Sequence, residues 1–293
     1  MYINNNSMAT NVANTLTSHY SDLKTSTERL STGLRVNSAA DDAAGLAIRE
    51  LMRTDITALQ QGVRNANDAI SLLQTADGAL GIIDEKLTRM KELAEQAATG
   101  TYDSTQRLMI ESEYQAMASE ITRIANATDF NGIHLLNGNL SSDTHNGSAM
   151  SSTGKLKVHF GTANDSAEDY YYIKIGTSTA SALGVGNQAV GTDGLTVSTQ
   201  EAAQKALVAI TNAVVSKDKI RAHLGALQNR LENTISNLTT QSQNLQAAES
   251  RISDVDVATE MTSFVRNQIL TQSAVAMLSQ ANSMPQMAMK LIG

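Results

Sequence analysis

The chain contains no cysteine, no tryptophan and a single proline, Pro285, and aromatic residues make up only 3% of its 293 positions. Without cysteine the fold can use no disulfide, which leaves the compartment open. With so little aromatic mass, a core must be built from Leu, Ile, Val, Met and Ala. That set suits helix seams better than the stiff interior of a large enzyme. Charge is also sparse: 29 acidic against 22 basic residues give a net charge of −7 with no basic stripe, which argues against nucleic acid as a partner. The start of the chain lacks a basic region followed by an apolar one, so it does not read as a cleavable signal peptide.

Catalytic patterns are missing as well. The five histidines, His19, His134, His145, His159 and His223, show no metal-ligand spacing, and no HExxH, GxSxG or Walker sequence occurs. Asp41 and Asp42 are adjacent carboxylates, but neighbours on a helix point apart, so a cap or a solvated bend is the expected role. No metal, no cofactor and no enzymatic activity are expected. One stretch, Asn267 to Met289, has no charge in 23 positions, yet ten of them are Asn, Gln, Ser or Thr. So many polar side chains make insertion into a membrane too costly. An amphipathic helix that packs against like helices is the better reading.

What the chain does have is heptad patterning at both ends. Leu59, Ala66, Leu73, Leu80, Leu87 and Ala94 recur every seven residues, and so do Leu224, Leu231, Leu238, Leu245 and Ile252. Such a repeat forms a narrow apolar seam that must meet another helix. Residues 1–42 carry a thinner stripe, Val12, Leu16, Leu23 and Leu30, in a Ser/Thr/Asn-rich segment that would be marginal alone. A strongly helical pattern covers 43–98 despite Gly62, Gly78 and Gly81, and Asp103 with Gln106 has the form of a capping box before a second helix to about 127. Two Asn-Gly turn signals follow at 131–132 and 137–138. Residues 137–154 read as an exposed loop, and alternation around Leu156–Phe160 and Tyr171–Ile175 predicts a hairpin. Residues 182–195 read as a loop or weak strand pair. Ser198 with Glu201 suggests a cap for a helix from about 199 nearly to the C terminus. The expected fold is mainly α: a long antiparallel helical bundle or coiled coil with a small β-hairpin region in the middle.

Specific words then matter. Residues 28–50 read ERLSTGLRVNSAADDAAGLAIRE, 87–97 read LTRMKELAEQA, 128–138 read TDFNGIHLLNG, and a long C-terminal run from 223 continues into NQILTQSAVAMLSQAN. In these words the chain resembles the bacterial flagellins, at 1 to about 138 and about 200 to 293. The resemblance implies an inner domain, D0, from 1–42 and 256–293, and a D1 domain from 43–138 and 198–255. The short region 139–197 would supply the hairpin and exposed loops, with no large outer domains. It implies a structural subunit that self-assembles into the hollow helical filament of the flagellum and serves swimming.

By the same resemblance, Leu16, Leu23, Leu30, Phe264, Val275 and Leu278 would form the filament core interface. Leu59, Leu73, Leu80, Leu87, Leu224, Leu231, Leu238 and Leu245 would form the D1 seam. Implied partners are other copies of the chain, the hook–filament junction proteins, the filament cap, an export chaperone and the flagellar type III export apparatus. The implied location is extracellular, reached without a cleaved signal peptide. A vertebrate Toll-like receptor reads the family's D1 helices through positions that fall on Arg89, Leu93 and Glu113. Rival readings are a hook–filament junction protein with the same terminal architecture, a filament-borne enzyme, and an exported coiled-coil effector, which explains the heptads but not the specific words. The middle region is short for a catalytic domain and lacks a nucleophile or metal motif.

Overall fold

The computed structural model describes residues 6–147, 153–166, 168–186 and 196–292, without the side chains of 153, 285 and 288–292. Helix α1 (Ser7–Thr32) opens at Asn6, whose side chain accepts the Ala9 N–H at 3.1 Å. It ends at Gly33, which takes a left-handed φ of 73°. Thr15, Thr17, Thr25 and Thr27 donate their hydroxyls to the carbonyl four residues back. This back-bonding lets a Thr-rich segment stay helical without stranding its hydroxyls.

Asp41 then closes a bend by accepting the Asn37 and Ser38 N–H groups, and Asp42 caps α2 (Ala43–Ala98) by accepting the Gly45 N–H at 2.8 Å. Helix α2 has 56 residues, so it is about 84 Å long. After a short turn, α3 (Ser104–Ala127) starts with the expected Asp103–Gln106 capping box.

β1 (Asp129–Phe130) and β2 (Ile133–His134) pair around Asn131 and Gly132, with φ of 51° and 80°. Two positive φ values in succession are what a two-residue primed turn demands. The second Asn-Gly pair makes no hairpin: the Asn137 side chain accepts the Asn139 N–H instead, and the chain runs on. The segment read as an exposed loop is partly ordered. Leu140 is buried, and β3 (His145–Asn146) pairs with β4 (Thr153–Gly154). β5 (Leu156–His159) and β6 (Tyr170–Ile173) form the expected hairpin, with Val158 opposite Tyr171 and Leu156 opposite Ile173. A short helix α4 (Ala180–Leu183) runs into the start of 182–195, the segment read as a loop or weak strand pair, and is capped by Thr179 and by Gly184 at φ 74°. Residues 187–195, including Gly191 and Gly194, lie outside the described residues.

Helix α5 (Gln200–Ser253) is capped by Thr199, whose hydroxyl accepts the Ala202 N–H, rather than by Ser198, whose N–H donates to Thr196. The C-terminal helix is also not continuous. Residues 254–256 break it before α6 (Val257–Ile292). The break has a cause outside the helix: Leu34 bridges Asp254, Arg35 N–H donates to the Ser253 carbonyl, and Val255 N–H donates to the Gly33 carbonyl. Backbone groups that leave the helix ladder are satisfied by the other break in the chain.

The chain divides into two compact units, Met1–Ile56 with Gln243–Gly293, and Thr57–Ser242. In the second unit the buried apolar residues come from α2, α3, α5 and the hairpin, with Leu135, Leu136, Leu140 and Leu183 added from the connecting segments and α4. Leu59, Leu73, Leu80, Leu87, Leu224 and Leu231 are each at most 2% exposed.

Candidate assembly surfaces

In the first unit α1 and α6 are packed antiparallel. Asn6 at the start of α1 donates its side-chain amide to the Ala281 carbonyl at 2.8 Å, and Arg29 near its end sits 3.8 Å from Glu260. Between these anchors, the covered positions on α1 are Ala9, Val12, Leu16, His19, Leu23, Ser26 and Leu30, in steps of three and four. On α6 they are Phe264, Asn267, Thr271, Ala274, Leu278 and Ala281, in the same steps. This is a heptad seam with small and polar residues at its tightest points: Ser26, Thr271 and Ala281 are the buried ones. The Thr271 hydroxyl is satisfied on its own helix by the Asn267 carbonyl at 2.7 Å.

Five of the six residues expected at a core interface, Leu16, Leu23, Leu30, Phe264 and Leu278, thus line a seam within one chain and are half-buried there. Val275 lies off the seam, 46% exposed. A flank of α6 beside the seam carries an apolar stripe that the core-interface set omits. Val257, Met261, Val265 and Ile269 recur every fourth residue and are 44–57% exposed. Met277 and Met287 continue the exposed apolar character, while Met284 is half-buried and the Met289 side chain lies outside the described residues. The step of four was present in the sequence. It was hard to single out because α6 is apolar on several faces at once.

In the second unit Leu238 is buried at 7%; in the first, Leu245 is half-buried. The α2–α5 seam of the second unit also holds charge. Lys217 is 2% exposed, and its ammonium pairs with Asp84 and with Asp218, the latter at 2.8 Å. Desolvation works against the ammonium, but the hydrogen bonds it donates to Asp218 and Asp84 outweigh it and hold its pKa above the ordinary value. One turn on, Arg221 grips Asp77 with two bonds of 2.7 and 3.1 Å, which lowers the Asp77 carboxyl below its usual range. These two clasps tie α2 to α5 where their apolar seam runs. Periodicity did not reveal them: Lys217 continues the Leu224 heptad one step back but with a charged residue, and Arg221 sits off it.

Arg89 donates to Glu113 on α3 at 2.9 Å and to Glu92 at 2.9 Å, all three side chains being at least 43% exposed. Leu93 lies beside them but is 2% exposed, so a partner approaching this face meets the Arg89–Glu113 pair. Among the described residues no cluster of His, Cys, Asp or Glu could hold a metal ion, and no helix is long and apolar enough to cross a membrane.

Comparison with known proteins follows the same two ends. The family described as the bacterial flagellin N-terminal helical region matches residues 3–141, and the bacterial flagellin C-terminal helical region matches residues 207–292. The chain is 40% identical to the flagellar filament 33 kDa core protein of Treponema phagedenis over 295 residues, covering 100% of both chains. It is 40% identical over 292 residues to the flagellar filament core protein flaB2 of Brachyspira hyodysenteriae, again over 100% of both. It is 41% identical over 310 residues to the flagellin of Bacillus subtilis strain 168, covering 100% of each.

Proposed function

Because the chain belongs to the bacterial flagellin family, and is a structural filament subunit of the flagellum rather than an enzyme, we propose a division of labour between its ends and its middle. Residues 1–42 and 256–293 form the inner wall of the filament, and 43–138, 139–197 and 198–255 form the layer around it. Leu16, Leu23, Leu30, Phe264 and Leu278 hold α1 to α6 within each subunit. Val257, Met261, Val265, Ile269 and Val275 face neighbouring copies. The carrying observation is that uncovered stripe on α6, which α1, packed along the helix, leaves to solvent. A repeated apolar face on an otherwise satisfied helix pair favours heterologous packing that extends without closing.

The filament lies outside the cell, and the subunit reaches it without a cleaved signal peptide. The junction proteins, the filament cap, the export chaperone and the type III export apparatus are its further partners. A Toll-like receptor would engage the D1 helices at Arg89 and Glu113, with Leu93 acting from beneath.

The test is a chain lacking residues 264–293. It should stay helical by circular dichroism, sediment as a single subunit, and show no filaments in the electron microscope where the full chain polymerises. A truncated chain that polymerised as well as the full one would remove the role assigned to the ends.

A further inference from the structure

The hairpin β5–β6 has two unlike faces. Val158, Phe160, Ile173 and Ile175 point inward and are buried, and Tyr171 packs edge-on against Phe160 at 4.7 Å between ring centres and beneath Arg230 of α5. The opposite face bears Lys155, Lys157, His159, Tyr170, Tyr172 and Lys174, and at its edge Lys157 and His159 border a groove shared with Asn65 and Asp68 of α2. There Lys157 lies 3.6 Å over the Tyr170 ring and Lys155 lies 4.2 Å over the Tyr172 ring. His159 stacks on Tyr170 at 6.0 Å, and His145 of β3 tilts against Tyr172 at 5.5 Å. Lys157 donates to the Asn164 side chain at 3.4 Å, and Lys174 is held by Asp143, whose carboxylate also feels the charge of Lys155. Acidic Glu168 lines the groove on the inner side, with Tyr171 and Arg230. A chain of net charge −7 therefore carries one half-buried, ring-supported basic patch.

We propose that this face of the hairpin binds an anionic polysaccharide, taking its carboxylates on Lys155 and Lys157 and its hydroxyls on the phenols and imidazoles of Tyr170, Tyr172, His145 and His159. The cation–π contacts hold the two ammonium groups in place, so less side-chain freedom is lost on binding. They stand two residues apart on one strand face, about 7 Å, so both can meet one extended chain. The other polyanions fit less well. Single-stranded nucleic acid needs open ring faces for its bases, and here Lys157 and His159 occupy the faces of Tyr170. A lipid surface needs apolar side chains to insert, and this face has none. The inference does not depend on the filament reading.

Isothermal titration of the full chain with sodium alginate at low salt tests it. Alginate should bind and neutral dextran should not, and a Lys155→Gln/Lys157→Gln double variant should bind about tenfold more weakly, with a shallower salt dependence. Tyr170→Phe should weaken binding by a smaller factor, because it removes a hydroxyl and keeps the ring. A control pair on α5, Lys205→Gln/Lys219→Gln, should bind as the parent does, and circular dichroism should show all variants equally helical. Equal binding by the parent and the hairpin double variant overturns the proposal. So does equal loss in the α5 control, or binding of single-stranded DNA or anionic vesicles as tight as that of alginate.

Discussion

At the scale of single residues, the most consequential side chain is Lys217. A lysine that is 2% exposed survives in the seam because two carboxylates answer it. Replacing it with alanine removes the packed methylenes and leaves Asp84 and Asp218 without their cation. Both carboxylates reach water, so the loss should be about 2 kcal/mol rather than the larger value of a fully buried pair. Lys217→Met keeps the volume and should cost clearly less; thermal melts followed at 222 nm separate the two.

The pH dependence follows from two opposite shifts. Asp77 is held below its ordinary 3.8 by its hydrogen bonds from Arg221, so its contribution is present above that value and is lost as pH falls through the lowered one. Lys217 is held above its ordinary 10.5, so its contribution is full below that value and is lost as pH rises through the raised one. The melting temperature should therefore hold between these limits and fall on both sides. The gap between parent and Lys217→Met should close as pH rises through the raised Lys217 value.

At the scale of elements, three glycines inside α2 looked alike in sequence, as residues that weaken a helix without ending it. They are not alike in place. A Cβ on Gly62 would lie 2.0 Å from the Phe160 carbonyl oxygen, because the hairpin backbone passes directly over that turn of the helix. A Cβ on Gly78 would meet nothing within 4 Å. Gly62→Ala should thus destabilise by about 3 kcal/mol through forced separation of helix and hairpin. Gly78→Ala should stabilise by about 0.5–1 kcal/mol through helix propensity. Denaturant midpoints of the two variants, moving in opposite directions, check the pair.

The legibility of the elements followed the same division. Helices α2 and α3, the capping box at Asp103 and the hairpin at 131–132 were readable because periodicity and turn chemistry are local. The break at 254–256 was not, because its backbone groups are satisfied by Gly33, Leu34 and Arg35, more than two hundred residues away. The cap at Thr199 rather than Ser198 is a one-residue choice between two competent hydroxyls.

At the scale of the molecule, the question is which apolar surface serves the chain itself and which serves its neighbours. Val265 and Ile269 are 44% and 57% exposed on α6. Covering each in a filament should contribute about 1 kcal/mol, roughly half of full burial. A Val265→Asp/Ile269→Asp variant should keep its helicity and fail to polymerise, because each added charge would have to be desolvated at every subunit contact. Turbidity and electron microscopy read the polymer, and far-ultraviolet circular dichroism reads the helices. Full polymerisation of this variant would move the contact to another face.

The sequence by itself determined that the ends are helical, that their seams repeat every seven residues, that the middle is small and β-patterned, and that the chain is flagellin-like. Those properties rest on period and on exact words, which need no partner to be visible. Only the tertiary structure decided which stripe of α6 is covered by α1 and which is left open. It also decided that Gly62 is a crossing point, that Lys217 has two carboxylates to meet, and that the lysines and tyrosines of the hairpin share one outward face. A helix that is apolar on several sides has no inner face until its neighbour is placed against it.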